Sequence, residues 1–197
     1  MDRVKLVQAV EEQLTRSRFE HTKRVIATAL TLAKRFGADQ EQAELAALLH
    51  DYCKCWPEER LREVIVTGDD FTQDLLQYNK ELWHAPVGAH IVKQDLGVVD
   101  KEVLDAICYH TSGRPHMTLL DKVIFVADYM EPARRFPGVE EVRLLAETDL
   151  DRALLKSLDN TLLFLIQRGM TVYPLTLSAR NFMVDQVHQS KPKEESL

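Results

Sequence analysis

Six side chains in this sequence carry chemistry that a hydrophobic core does not need: His21, His50, Asp51, His84, His110 and Asp128. Most fall where an apolar pattern of three- and four-residue steps points inward. His50 continues a face of Ala43, Ala46 and Ala47, small side chains that let a neighbouring helix come close. Asp51 follows directly, so an imidazole and a carboxylate leave one helix end together. His110 extends the stripe of Val103, Ala106 and Ile107, and His21 precedes Val25, Ala29 and Leu32 on its helix. Asp128 stands inside VIFVADYM, flanked by the most apolar run of the chain. An ionised carboxylate buried there needs a cation, a set of donors or a raised pKa. Imidazole nitrogens with carboxylate oxygens form a donor set suited to zinc, iron or manganese.

Each of these residues has a plainer reading when taken singly. A lone inward histidine is commonly a satisfied core residue. Asp128, near a helix end, suits a cap or an ion pair with Arg134 or Arg135. The set is what points to a metal, because ligands on separate helices converge only from inward faces. His90, His116 and His188 lack that support and are read as incidental. Cys53 is close enough to His50 to raise the question of a thiolate ligand, which would favour a closed zinc site. The His- and oxygen-rich pattern outweighs it, and Cys53, Cys55 and Cys108 are placed outside the ligand shell. Their odd count, without C-x-x-C spacing, gives neither a disulfide framework nor a zinc ribbon.

The elements that must hold these groups are helical almost throughout. Periodicity predicts helices at about 3–15, 18–36, 40–53, 58–66, 72–78, 84–95, 101–110, 118–130, 138–147, 150–168 and 176–189. Gly37, just past Lys34 and Arg35, is a stop signal. Asp39 with Gln42 resembles a capping box, and Asp100 and Asp149 open later helices. No hairpin or repeat interrupts this pattern. The expected fold class is all-α: one compact multi-helix domain over 1–189, its core at about 18–130, with the C-terminal helices completing the pocket. Residues 190–197 are expected to be a disordered tail.

The 197 residues carry 25 Lys+Arg against 31 Asp+Glu, a formal net charge of −6. That balance speaks against a nucleic-acid surface, which relies on clustered Lys and Arg. The apolar runs are too short to span a membrane, and the N-terminus lacks the apolar segment of a signal peptide. A cytoplasmic protein is expected.

The spacing of His21, the His50–Asp51 doublet in AALLHDYCK, and Asp128 resembles the H…HD…D signature of the HD-domain metal-dependent phosphohydrolases. The stretches CYHTSGRPHMTLLDKVIFVADYMEPARRFPGVEEVR and TVYPLTLSARN are similar to one branch, the YqeK family of bacterial symmetrical bis(5′-nucleosyl)-tetraphosphatases. The resemblance covers nearly all of residues 18–185 and misses no member of the ligand pattern. It implies that His21, His50, Asp51 and Asp128 bind a divalent metal, with iron expected and manganese, cobalt or zinc as alternatives. His84 and His110 match positions that complete a second metal site or meet substrate phosphate, so one or two ions are open. The implied reaction is hydrolysis of diadenosine tetraphosphate to two ADP.

Chemically, a divalent cation lowers the pKa of water from 15.7 to about 7 and neutralises phosphoryl charge. The expected catalytic residues are Asp51 with His84 and His110, either of which, protonated, serves the leaving ADP. Arg18, Lys54, His84, His110, Thr111 and Arg134 are expected at substrate phosphate. Tyr173 is expected either to stack on an adenine or to pack its own loop. Competing functions are another HD-type nucleotide phosphohydrolase or phosphodiesterase, and a non-enzymatic nucleotide sensor. The expected partners are the dinucleoside polyphosphate and ADP, without nucleic acid or membrane, and with homodimerisation left open.

Overall fold

The computed structural model describes residues 3–189; the expected tail, 190–197, lies outside the described residues. The described chain folds as α1 (Arg3–Gln13), α2 (Arg16–Phe36), α3 (Gln40–Leu49), α4 (Glu58–Thr67), α5 (His84–Asp95), α6 (Lys101–Tyr109), α7 (Leu119–Met130), α8 (Val139–Leu145), α9 (Leu150–Gln167) and α10 (Pro174–Gln189). Two 3-10 helices, Gln73–Gln77 and Lys80–Leu82, lie between α4 and α5. Among the described residues there is no strand.

Helix α7 is the centre of the assembly and packs against α2, α3, α6, α8 and α9. Its sequence explains this place, since Leu120 and the whole run Val123–Ala127 are buried. A helix that is apolar on every side must be enclosed. Around it α2 pairs with α3, α5 with α6, and α9 with α10. The face Ala43, Ala46 and Ala47 of α3 is fully buried and lets α2, α6 and α7 approach closely. One hydrophobic core runs from Leu6 and Val10 through these helices to Ala179 and Met183.

The helix ends follow local chemistry. Gly37 closes α2 in the left-handed region at φ 81°, where a side chain would be strained. The Asp100 and Asp149 side chains accept from the first-turn amides of α6 and α9. Asp39 caps α3 by accepting from the Gln42 N–H, but the reciprocal half of the expected box is missing. Gln42 instead donates to Asp100, 2.8 Å away, tying α3 to α6. The full capping box belongs to Thr118 and Asp121 at the start of α7.

Several boundaries differ from the expectation, four of them with a clear local cause or consequence. The HD doublet follows α3 rather than lying within it: the helix stops at Leu49, and tight i to i−3 turns continue to Trp56. The expected helix at 72–78 is a 3-10 turn. Thr15 caps α2, which therefore starts at Arg16 and puts Arg18 in its first turn. Helix α10 begins at Pro174, whose fixed φ and missing N–H suit a first helical position.

Candidate metal centre

Five helices deliver the six side chains to one place. His21 projects from α2, His50 and Asp51 from the turn ending α3, His84 from the first residue of α5, His110 from the end of α6, and Asp128 from the last turn of α7. Asp51 is the hub and is 0% exposed. Its Oδ2 lies 3.0 Å from His50 Nε2 and 3.6 Å from His21 Nε2. Its Oδ1 lies 3.1 Å from His84 Nε2 and 3.9 Å from His110 Nε2. Asp128 Oδ1 stands 3.0 Å from His21 Nε2. One carboxylate thus faces two imidazoles with each oxygen, and the second carboxylate closes the His21 side.

Ring orientation is set from outside the cluster. His50 Nδ1 donates to the Ala47 carbonyl and His110 Nδ1 to the Ile107 carbonyl, each at 2.7 Å. Both contacts leave the Nε2 lone pair turned toward the centre. His84 is oriented differently: its Nδ1 is 3.5 Å from the Lys54 ammonium and its Nε2 is 3.1 Å from His110 Nε2. An ammonium can only donate, which pushes the His84 proton to Nε2.

The donors fit a cation. Both Asp51 oxygens and the Nε2 atoms of His21 and His50 are buried without a hydrogen bond of acceptable geometry. Buried polar atoms rarely stay unpaired, and a positive charge among two carboxylates and several imidazoles would satisfy them together. Three overlapping triads place their ligand atoms within 4.8 Å of one another: His21–His50–Asp51, His50–His110–Asp128 and Asp51–His84–His110. The cysteines are in none of these triads, and burial pushes the Cys53 thiol up, away from thiolate.

The electrostatics favour ionised carboxylates with neutral outer imidazoles. Burial opposes the charge on Asp51, but the neighbouring His50 and His84 override it and hold the carboxyl well below its usual range. Asp128 is likewise held well down against burial, through His21, Arg134 and His50. Burial lowers His84, helped by the charges of Lys54 and His50, and burial with His50 and His84 lowers His110 strongly. His50 moves the other way. Burial would lower it, but contact with Asp51 and the charge of Asp128 raise it.

Three of the expected phosphate-binding cations lie at the cluster. The Arg18 guanidinium pairs with Asp51 Oδ2 and keeps its buried Nε without a partner. Arg134 donates to Asp128 Oδ1 at 2.7 Å and to the Asp128 carbonyl at 3.1 Å. Lys54, beside His84, donates to Glu81 at 2.7 Å. Thr111 is placed near His110 by chain adjacency alone. Tyr173 meets Tyr78 edge-on at 4.9 Å and is half-buried against the core. Tyr78 belongs to the segment that leads through Lys80–Leu82 to His84.

Sequence reasoning passed over Glu131 and Glu81, which touch His21 and Lys54 from behind, and Arg24, which holds Glu131. A spacing signal existed for all three: Glu131 lies three residues after Asp128, Arg24 three after His21, and Glu81 three before His84.

With fold and site in view, the chain belongs to the HD-domain family, whose model matches residues 18–133. It is 52% identical to the symmetrical bis(5′-nucleosyl)-tetraphosphatase of Bacillus subtilis (strain 168), over 93% of this chain and 98% of the relative. It is 41% identical to the protein of the same name from Staphylococcus aureus (strain NCTC 8325 / PS 47), over 87% of this chain and 89% of that one. Among solved structures it is similar to a Clostridium acetobutylicum protein described as a predicted HD superfamily hydrolase involved in NAD metabolism. The TM-score is 0.90 at 37% identity, covering 94% of this chain and 98% of that chain.

Proposed function

We propose that this chain hydrolyses diadenosine tetraphosphate symmetrically to two ADP, using a divalent cation held by His21, His50, Asp51 and Asp128. The observation that carries the reading is the buried Asp51 carboxylate, whose oxygens face imidazole Nε2 atoms and make no hydrogen bond of acceptable geometry, with the Arg18 guanidinium as the counter-charge on Oδ2. The substrate comes from the similarity to proteins named symmetrical bis(5′-nucleosyl)-tetraphosphatases. Nitrogen and carboxylate donors without thiolate suit iron, manganese, cobalt or zinc, and iron is the ion this reading takes.

When bound, such a cation acidifies water toward neutrality and withdraws charge from a phosphoryl oxygen. The protein's own groups supply the rest. Asp51 and Asp128, kept ionised, bring the negative charge that attracts the cation, and the Nδ1 hydrogen bonds of His50 and His110 fix their rings. His84, neutral in this site rather than protonated as the sequence suggests, carries its one proton on Nε2 and can hydrogen-bond a phosphoryl oxygen or the departing ADP, and this favours a phosphate role over a second-cation role. His110 stays neutral beside it and is the remaining candidate ligand for a second ion. Arg18, Lys54 and Arg134 meet the other phosphate charges, and Arg18 Nε is a donor with no partner to give up. Thr111 adds a hydroxyl at the His110 edge, and Tyr173 is the aromatic assigned to a base.

No helix among the described residues is long and apolar enough to cross a membrane, and the three cysteines are free. Unpaired thiols suit a reducing compartment, so the cytoplasm is where we place the reaction. The test is a substrate panel: purified protein loaded with iron, manganese, cobalt or zinc is given diadenosine tetraphosphate, ATP, dGTP and a cyclic dinucleotide. Turnover of the tetraphosphate to ADP above the rest supports the proposal. Preference for a triphosphate or cyclic dinucleotide moves the chain to another HD chemistry, and tight nucleotide binding without turnover makes it a sensor.

A further inference from the structure

His21 is held from behind in a way that no other histidine of the cluster shares. Where His50 and His110 rest their Nδ1 atoms on neutral backbone carbonyls, His21 Nδ1 lies 3.1 Å from the carboxylate Oε1 of Glu131. Glu131 closes the end of α7, three residues after Asp128, and is 2% exposed. Its other oxygen accepts from Arg24 Nε and from the Ala133 N–H, each at 2.7 Å. Its backbone carbonyl accepts from Arg143 at 2.8 Å. The carboxylate is therefore held by Arg24 and the Ala133 N–H, with Oε1 aimed at the imidazole and 3.5 Å from the Arg24 Nη2. A buried carboxylate on the far nitrogen of a ligating histidine fixes its tautomer and raises its basicity.

We propose that Glu131 is a positioning residue of the metal centre, which holds His21 as the Nδ1–H tautomer and so keeps its Nε2 lone pair turned to the cation. This rests on the reading of His21 as a metal ligand. A competing explanation is mechanical: Arg24 and His21 both belong to α2, so Glu131 also staples α2 to α7. Arg24 separates the two roles, because its removal weakens the staple while leaving the carboxylate on His21.

The test uses zinc alone as the probe. Zinc affinity, by competition with a chromophoric chelator, is measured for the wild type, Glu131→Gln, Arg24→Gln and His21→Gln, with thermal unfolding of each. The expected result is a loss of about 10–100-fold for Glu131→Gln, with Arg24→Gln within about threefold of wild type. Equal affinity for Glu131→Gln and wild type, or equal losses for Glu131→Gln and Arg24→Gln, overturns the proposal. Wild-type zinc binding that His21→Gln leaves intact overturns the ligand reading itself, a separate failure. Should Glu131→Gln not fold, nitrogen-15 spectra of the zinc-loaded wild type decide the matter. A proton on His21 Nδ1 is expected, and a proton on Nε2 overturns the proposal.

Discussion

At Asp51, the charge of one carboxylate is shared among four imidazoles, and this sharing sets what each residue does. Asp51→Asn keeps the shape and removes the charge. The variant is expected to stay folded but to lose stoichiometric metal and turnover together, by more than the roughly 100-fold that outer-shell changes reach. Elemental analysis and a product assay check this, and full activity in a folded Asp51→Asn protein would contradict it. The buried histidines also give stability a pH dependence. His84 and His110 are lowered in the folded state, so as pH falls below about 6.5 the unfolded chain takes up protons that they refuse. Their contribution is complete above that pH and is lost as pH falls through their folded values. His50, raised, contributes fully below its unfolded value and is lost only at higher pH. Chelator-treated protein should therefore show a Tm that falls as pH drops below about 6.5, checked by thermal denaturation; a Tm that rises on acidification would contradict it. The residues of the cluster were legible because inward polar groups break an apolar period. Glu131 and Arg24 carried only a three-residue spacing to Asp128 and His21, too common among charged helix residues to single them out.

The helices position these groups through their ends more than their middles, since His50, His84, His110 and Asp128 all lie at a helix terminus or in its last turn. Caps were accordingly the readable part of the elements: Gly37, Asp100 and Asp149 act as their types and spacing imply. What escaped was tertiary. Periodicity extends α3 to 53 because Tyr52 and Cys53 continue its apolar pattern, yet the turn after Leu49 buries them just as a helix would. The segment 73–77 reads as an α-helix, but the Trp83 indole N–H donates to the Leu75 carbonyl at 3.0 Å. That carbonyl also accepts from Tyr78 three residues on, the bond of a 3-10 turn. The capping box of α7 gives a prediction at this scale. In Thr118→Ala the Asp121 N–H loses its side-chain acceptor at the start of the helix that carries Asp128. A loss of about 1 kcal/mol is expected, with recovery in Thr118→Ser. Urea unfolding measures both, and an unchanged midpoint in Thr118→Ala would contradict the assignment.

Over the whole molecule the formal charge is −6, while Arg18, Lys54 and Arg134 stand at Asp51, His84 and Asp128 of the cluster. A cation added to the two carboxylates brings the inner cluster to neutrality before those three are counted, so a polyanionic substrate and an acidic protein are compatible. The all-α architecture was legible from periodicity, and its consequence is one core in which α7 joins the metal-type cluster to the rest. Periodicity could not choose among substrates, because the same cluster serves several phosphate chemistries. The direct test is hydrolysis of diadenosine tetraphosphate by the metal-loaded protein in oxygen-18 water, with the nucleotides resolved by mass. The account predicts ADP as the nucleotide product, half of its molecules carrying one label on the terminal phosphate. AMP together with ATP would contradict it.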